Sequence, residues 1–360
     1  MLKKNIMLII TLLAVICGLS FAQERQVYIV GSDGNNAVYW LNGKQIVLPK
    51  SSDSAETSGI AVSGANIYIA GTDGNDAVYW LNGRRTILPK SSNDVRAYTT
   101  AIAVSGSDVY IVGVESRSDN NGRRRNSAVY WLNGRQVVLP NSSGQAVAND
   151  IAVSGSNIYI VGRDGDWGES DAVYWLNGRR TVLSKSSNNA SANAIAVSGS
   201  DVYIGGNDVG AVYWFNGRQI VLSQLDWGDM SWASPSTGVG AIAISGSNIH
   251  FAGSSGLSGE FFTSKPVYWL NGNITELPKI GGVTPGTRGV DESSVIIGEA
   301  SANAIAISGS DVYIVGYDGK IMNSDFMFRT FTTAVYWLNG ERYALPSSNE
   351  SRTIGIAIIE

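Results

Sequence analysis

The chain has 360 residues, of which 42 are Gly, one is His and one is Cys, and its formal charge is −4. One His and one Cys exclude a His/Cys zinc site, a Cys–His nucleophile pair and a disulfide framework. Charged residues at 16% beside ten Trp exclude a disordered chain, and so much Gly without a Gly-x-x period points to tight turns between many short strands.

The first element is an export signal. Lys3 and Lys4 form a basic start, Ile6 to Ile16 an apolar stretch, and Ser20-Phe21-Ala22 a small-x-small cleavage site. Residues 1–22 are therefore expected to be removed, leaving 23–360 as a single domain exported across the inner membrane to the periplasm, the cell surface or the medium. A lipoprotein anchored at Cys17 is the competing reading, but Ile16 is bulky where a lipobox carries a small residue. No later stretch is long and apolar enough to span a bilayer, so no transmembrane segment is expected in the mature chain. Losing Lys3 and Lys4 from 26 basic residues against 30 acidic ones leaves −6, which gives no support for nucleic-acid binding.

Beyond the signal the chain repeats. Val-Tyr-Trp-(Leu/Phe)-Asn-Gly occurs seven times, with its Trp at 40, 80, 131, 175, 214, 269 and 337. A second string, Ala-Ile-Ala-Val-Ser-Gly-Ser-Asp-Val-Tyr-Ile-Val-Gly at 101–113, has close copies beginning at Gly59, Asp150, Ala194, Ala241 and Ala304. In the unit that opens near Ala101, four strands are predicted: A at Ala101–Val104, B at Val109–Gly113, C at Ala128–Leu132 and D at Gln136–Leu139. Asn133-Gly134 between C and D is the composition of a type I′ hairpin turn, which needs positive φ at both central residues. Strands B and C do not alternate apolar and polar, so both faces must be covered. Radial stacking of such sheets covers both faces, and closing the stack into a ring leaves no sheet bare.

The ends supply that closure. After the signal the chain starts at a strand B, Val27–Gly31, with C and D at 37–41 and 45–48, and the missing strand A stands at the other end as Thr353–Ile358. Six complete units and one assembled from both termini predict an all-β, seven-bladed β-propeller with Velcro closure. The blades fall near 58–90, 100–140, 149–184, 193–223, 240–278, 303–346, and 353–359 with 27–49. Over roughly everything after the signal the chain resembles secreted bacterial seven-bladed propeller repeat proteins of the Val-Tyr-Trp-Leu-Asn-Gly type. It lacks the Gly-His and Trp-Asp marks of WD40 repeats and the double Gly of kelch. The resemblance implies a fold and no activity.

Function is expected where the repeat breaks. The A–B and C–D turns are short and nearly invariant, whereas the B–C segments range from 4 to 17 residues and two D–A segments, Gln224–Ala241 and Lys279–Ala304, reach 18 and 26. Trp227, Trp232, Phe261, Phe262, Phe326, Phe328 and Phe331 lie in these long segments and are the candidate binding residues, suited to a protein partner or to sugars that stack on rings. The alternative is that such loops fold down over their own aromatics. The lead expectation is a monomeric, non-catalytic scaffold for protein–protein interaction, with glycan binding as the alternative. A hydrolase or lyase using Asp226, Asp229, Glu260, Asp291, Glu292 or Glu299 is a third reading.

Other singular residues have structural readings. Asp33, Asp73, Asp164, Asp208 and Asp318 follow strand B, mostly in Asp-Gly. They read as turn chemistry rather than calcium ligands, because no copy carries the Asp-x-Asp-x-Asp-Gly string with a distal Glu. Lys44, Arg84, Arg135, Arg179 and Arg218 follow Asn-Gly and read as solvating the turns. Arg123-Arg124-Arg125 with Arg117 reads as a solvated loop, with an anionic ligand as the sharper alternative. His250 takes the place of a repeated strand-B Tyr and reads as core, and the seven Trp read as packing between blades. No cofactor is expected.

Overall fold

The fold was analysed in a computed structural model that describes residues 25–119, 122–166, 168–185, 189–208, 210–225, 234–258, 263–280, 297–324 and 327–360. These form seven antiparallel sheets of four strands each. One sheet joins the two ends of the chain: the C-terminal strand Ser351–Ile359 pairs with Gln26–Asp33 from Gln26↔Ile359 to Asp33↔Ser351, and Asn36–Leu41 and Lys44–Val47 complete it. The molecule is a closed seven-bladed β-propeller.

Turn chemistry sets each hairpin. All seven C–D turns place Asn at φ 49–52° and the following Gly at 81–90°, as type I′ requires. The Asn side chain does further work: its Oδ1 accepts the N–H that opens strand B of the same blade, as Asn133 does from Val109 at 2.9 Å. The six A–B turns hold Gly at φ 56–61°.

The core lies between blades. One cluster joins Ala70, Ala77 and Leu88 of blade 1 to Ala97, Ile111, Val129 and Trp131 of blade 2. All seven motif Trp are fully buried, each removing a large apolar area from water. Six of them also donate Nε1–H to a carbonyl just beyond strand D of the preceding blade, such as Trp131 to Pro89 at 2.7 Å and Trp175 to Pro140 at 2.8 Å. Among the described residues Trp214 has no such acceptor. In the preceding blade, strand D continues to Lys185 with an irregular register, so the Ser184 region pairs with strand C instead.

Every strand A carries a bulge opposite the Gly that ends the apolar part of strand B. In blade 2, Thr99 faces Gly113 and Ala101 faces Val112, leaving Thr100 unpaired. The bulge swings a strand-A carbonyl to within 1.9–2.1 Å of where a Cβ would stand at Gly31, Gly71, Gly113, Gly162, Gly206, Gly253 and Gly316. Only Gly fits there, at an ordinary backbone angle, because the clash is with main chain that cannot yield.

Three B–C segments differ from the loops expected of them. In blade 2 the strands run on to Ser118 and from Arg124, in blade 5 to Ser258 and from Thr263, and in blade 6 to Ser324 and from Met327. They are hairpins that extend the blade out of the ring. Polar and β-branched residues there, such as Glu115-Ser116 opposite Asn126-Ser127, continue the ladder without an apolar core to mark them as strand.

Candidate binding surface

The B–C and D–A connections share one face, and its base is built by a repeated buried acid. The residue two positions beyond the strand-B Gly is Asp33, Asp73, Glu115, Asp164, Asp208 or Asp318 in six blades. It accepts hydrogen bonds from the segment that arrives from the preceding blade. Asp73 takes the N–H of Ser51 at 2.8 Å and of Ser52 at 3.0 Å, and Asp164 that of Ser142 at 2.8 Å. Asp33 takes those of Ser348 and Asn349 at 3.0 and 2.7 Å. Strand D of the same blade supplies a second partner. Arg85 and Arg180 form ion pairs with Nε 2.6 Å from Asp73 and Asp164, Arg342 holds Asp318 bidentately at 2.6 and 2.8 Å, and Gln45 and Gln136 reach Asp33 and Glu115.

Burial opposes ionisation of Asp33, Asp73 and Asp164 and is the largest single influence. The hydrogen bonds they receive together outweigh it, and Arg85 and Arg180 add to two of them, so all three sit below the usual carboxylate value. The recurring Asp is therefore more than a turn residue: it clamps one blade to the next. Blade 5 replaces the clamp with neutral groups, Ser255 against Thr237 Oγ1 at 3.0 Å, and has Ile274 where the strand-D donor stands.

The bulge residues Ser58, Thr100, Asn149, Asn193, Gly240, Asn303 and Ile354 line an axial cavity of about 290 Å³. Four of them bridge to the next blade: Thr100 Oγ1 donates to the Ala148 carbonyl at 2.8 Å, and the amides of Asn149, Asn193 and Asn303 donate to the carbonyls of Ala192, Val239 and Thr353 at 2.9, 3.0 and 2.8 Å. Asp150 stands where the other blades have Gly or Ala, and accepts the N–H groups of Ile151 and Ile195 at 2.8 and 2.9 Å. Burial raises the Asp150 pKa to about 6 despite those bonds, although the residue stays partly exposed toward the axial cavity.

Of the aromatics expected to bind, Phe331 is described: it lies on strand C of blade 6 and is 48% exposed. Phe328 belongs to the same strand, and only its backbone is described. Trp227, Trp232, Phe261, Phe262 and Phe326 lie outside the described residues, as do Asp226, Asp229, Glu260, Asp291 and Glu292. Glu299 accepts the Tyr317 hydroxyl at 3.2 Å, and Arg352 stacks 4.6 Å above the Tyr317 ring. Burial and then the Glu299 charge raise Tyr317 to about 12. His250 is buried with Nδ1 2.8 Å from the Tyr268 hydroxyl, and burial lowers its pKa. Lys44, Arg84, Arg135, Arg179 and Arg218 are exposed beside their turns.

A further concavity of this face lies elsewhere. A groove of about 700 Å³ between blades 1 and 2 is lined by hydroxyls of Ser52, Ser54, Thr72 and Thr100, the carboxylates of Asp53 and Glu56, and Arg96 and Tyr98. Asp53 and Glu56 are both exposed. Tyr98 is half-buried; burial raises its pKa, partly offset by the charges of Arg163, Arg124 and Arg96. Sequence reasoning passed over this site because its residues sit in segments of ordinary length. A signal existed: Glu56, Tyr98, Val147, Ser191, Gly238, Ser301 and Arg352 occupy one repeat position, two before the bulge, and only the two Ser share a side chain.

No family model matches the chain, and no curated protein matches it. Among solved structures 155 chains match. One is described as the beta-propeller domain of the Trilobed protease from Pyrococcus furiosus, which reveals an open velcro topology. It is 12% identical, with 90% of this chain and 95% of that one covered and a TM-score of 0.45. The fold assignment stands on the strand pairing of this chain itself.

Proposed function

We propose that this protein is an exported, non-catalytic binding scaffold of the secreted bacterial type, and that it recognises a saccharide in the groove between blades 1 and 2. The observation that carries the reading is the groove's lining: neutral hydroxyls, two exposed carboxylates and the Tyr98 ring in a concavity of about 700 Å³. Sugars are bound by such combinations, with hydroxyl pairs on carboxylates and the apolar sugar face on an aromatic ring. Asp53 and Glu56 stand in water on the rim rather than in the dry surroundings that hold a general acid protonated, which favours binding over glycoside hydrolysis.

The test is calorimetry of the mature chain against a panel of oligosaccharides, with Tyr98→Ala as the control. Binding that Tyr98→Ala weakens by tenfold or more, roughly the loss of one stacking contact, with no reducing ends released on long incubation, is the expected result. Silence across the panel, or cleavage of a bound sugar, overturns it. Protein–protein interaction is the second reading, supported by the exposure of Phe331 on the blade 6 hairpin. Its check is whether Phe331→Ser lowers recovery of a partner from a cell-envelope extract. Export itself is tested by N-terminal sequencing of the processed protein, which should begin at Gln23.

A further inference from the structure

The seven C–D turns are a chemical liability as well as a structural device, because each is an Asn-Gly pair with its Asn exposed. The nitrogen of the Gly, with no side chain beside it, can attack Cγ of the Asn. A C–N bond forms and closes a five-membered imide, and the Gly N–H proton passes to solvent. The bond from Cγ to Nδ2 breaks, and the amide nitrogen takes up a proton and leaves as ammonia. Water then opens the imide at one carbonyl or the other, giving aspartate or isoaspartate.

Steric cover does not prevent the attack. A Cβ placed on Gly43, Gly83, Gly134, Gly178, Gly217 or Gly340 would meet nothing within 4 Å. Hydrogen bonds oppose it instead. In every turn the Asn Oδ1 accepts the N–H that opens strand B, at 2.8–2.9 Å. In six turns the residue just before that N–H holds Nδ2 as well. Asn82, Asn177 and Asn271 donate to Oδ1 of Asn66, Asn157 and Asn248 at 3.0, 2.9 and 3.0 Å. Asn133, Asn216 and Asn339 donate to carboxylates of Asp108, Asp201 and Asp311 at 2.8, 3.0 and 3.0 Å. A side chain pinned at both ends must break two bonds before Cγ can swing over the Gly nitrogen.

Asn42 is pinned at one end. Its Oδ1 accepts the Val27 N–H at 2.9 Å, and among the described residues no acceptor holds its Nδ2. The cause is the Velcro closure. Strand A of this blade is the far end of the chain, so no A–B turn supplies a short Asn or Asp. Gln26 stands there, one methylene longer, and its Oε1 accepts the Tyr28 hydroxyl at 2.8 Å.

We propose that, of the seven hairpin turns, Asn42-Gly43 is the one that deamidates in the folded protein, and that the fold protects the other six. The isoaspartyl product runs the main chain through the former side-chain carbon. It lengthens a two-residue turn and displaces the acceptor of the Val27 N–H. The damage falls on the sheet that holds both ends of the chain, so it loosens the closure of the ring.

The experiment holds the mature chain in mildly alkaline buffer, folded in one sample and in concentrated guanidinium chloride in the other. Peptide mass spectrometry follows loss of the amide at each turn, and an enzymatic assay detects isoaspartate. Asn121-Gly122, whose Asn lies outside the described residues, is scored separately. In denaturant the seven turn sites should react at similar rates. In the folded chain Asn42 should react about fivefold faster than Asn82, Asn177 and Asn271, the factor one neutral amide hydrogen bond supplies. Its lead over Asn133, Asn216 and Asn339 should be larger, because their acceptors are charged. Gln26→Asp, which sets the acceptor of other blades beside Asn42, should slow it to the rate of Asn133. Asp108→Ala should raise Asn133 to the rate of Asn42, so each variant checks the other should one fail to fold. The separated isoaspartyl form should melt below the unmodified chain. Equal rates at the seven folded sites, or folded rates equal to unfolded ones, overturn the inference. So does either folded variant that leaves its target rate unchanged. Equal melting of the isoaspartyl form overturns the effect on closure.

Discussion

The two faces of the ring are cut from the same twenty-eight strands among the described residues, yet they are held by different physics. On the short-turn face each hairpin closes within its own blade: Asn and Gly take positive φ, and the Asn side chain caps the neighbouring strand. On the loop face the chain crosses from blade to blade, and a buried acid, an indole N–H and a strand-D cation hold the crossing segment. Local turn chemistry suffices where the chain reverses in two residues. Where it travels between sheets, only long-range polar contacts fix it, and the surface above is then free to vary.

The largest effect should follow from breaking a loop-face clamp. Asp164→Ala removes the ion-pair partner 2.6 Å from Arg180 Nε and the acceptor of the Ser142 N–H, and we expect a loss of about 3 kcal/mol, in the range for one lost partner of a buried pair. Chemical denaturation checks it. The pH sign also follows. Asp33, Asp73 and Asp164 have folded values below their unfolded ones. Their contribution is therefore present above the unfolded value near 3.8 and is lost as pH falls through the depressed folded values. Wild type should lose stability steeply on acidification below about pH 4, and Asp164→Ala less steeply.

A short-turn variant should do less damage. Asn133→Ala gives up the tolerated positive φ and the hydrogen bond from Val109, for about 2 kcal/mol together. An effect equal to that of Asp164→Ala would erase the distinction between the faces.

Asp150 should behave oppositely to the clamps. Its folded value of about 6 lies above its unfolded value, so its contribution is fully present below the unfolded value and is lost as pH rises through about 6. Asp150→Ala, which restores the residue type of other blades, should flatten stability between about pH 4 and 6. It should also gain about 1 kcal/mol at neutral pH, less than the shift alone implies because the carboxylate is partly exposed. Destabilisation at neutral pH would mean that its bonds to Ile151 and Ile195 outweigh its charge.

The finest comparison is between two Trp at one repeat position. Trp175→Phe loses the bond to the Pro140 carbonyl, whereas Trp214→Phe loses no hydrogen bond, so the first should be the costlier by about 1 kcal/mol. Equal melting shifts would remove the indole bond from the account of how blades are joined.

Much of this was legible in the order of residues. Seven Trp-(Leu/Phe)-Asn-Gly strings give the blade count, unalternating strands give burial on both faces, and a strand B at one end with a strand A at the other gives closure. The clamp was not, because Asp-Gly is sufficient for a turn and only the meeting of Asp73 with Ser51 and Arg85 reveals another use. The extended hairpins were not, because Arg124–Ser127 carries no apolar pattern. The groove was not, because loop length drew the eye to residues between 224 and 333 while Tyr98 sits in a segment of ordinary length.

The sequence by itself determined the ring: repeats, turns and apolar strands are local properties, and seven copies leave one way to cover every sheet. Among the described residues, the repeated Gly of the turns and bulges and the single His of the core followed from it. Tertiary structure alone decided which side chains share a space. Ser52 and Arg96, or Arg124 and Arg163, belong to different blades, and no spacing along the chain measures the gap across which blades face each other.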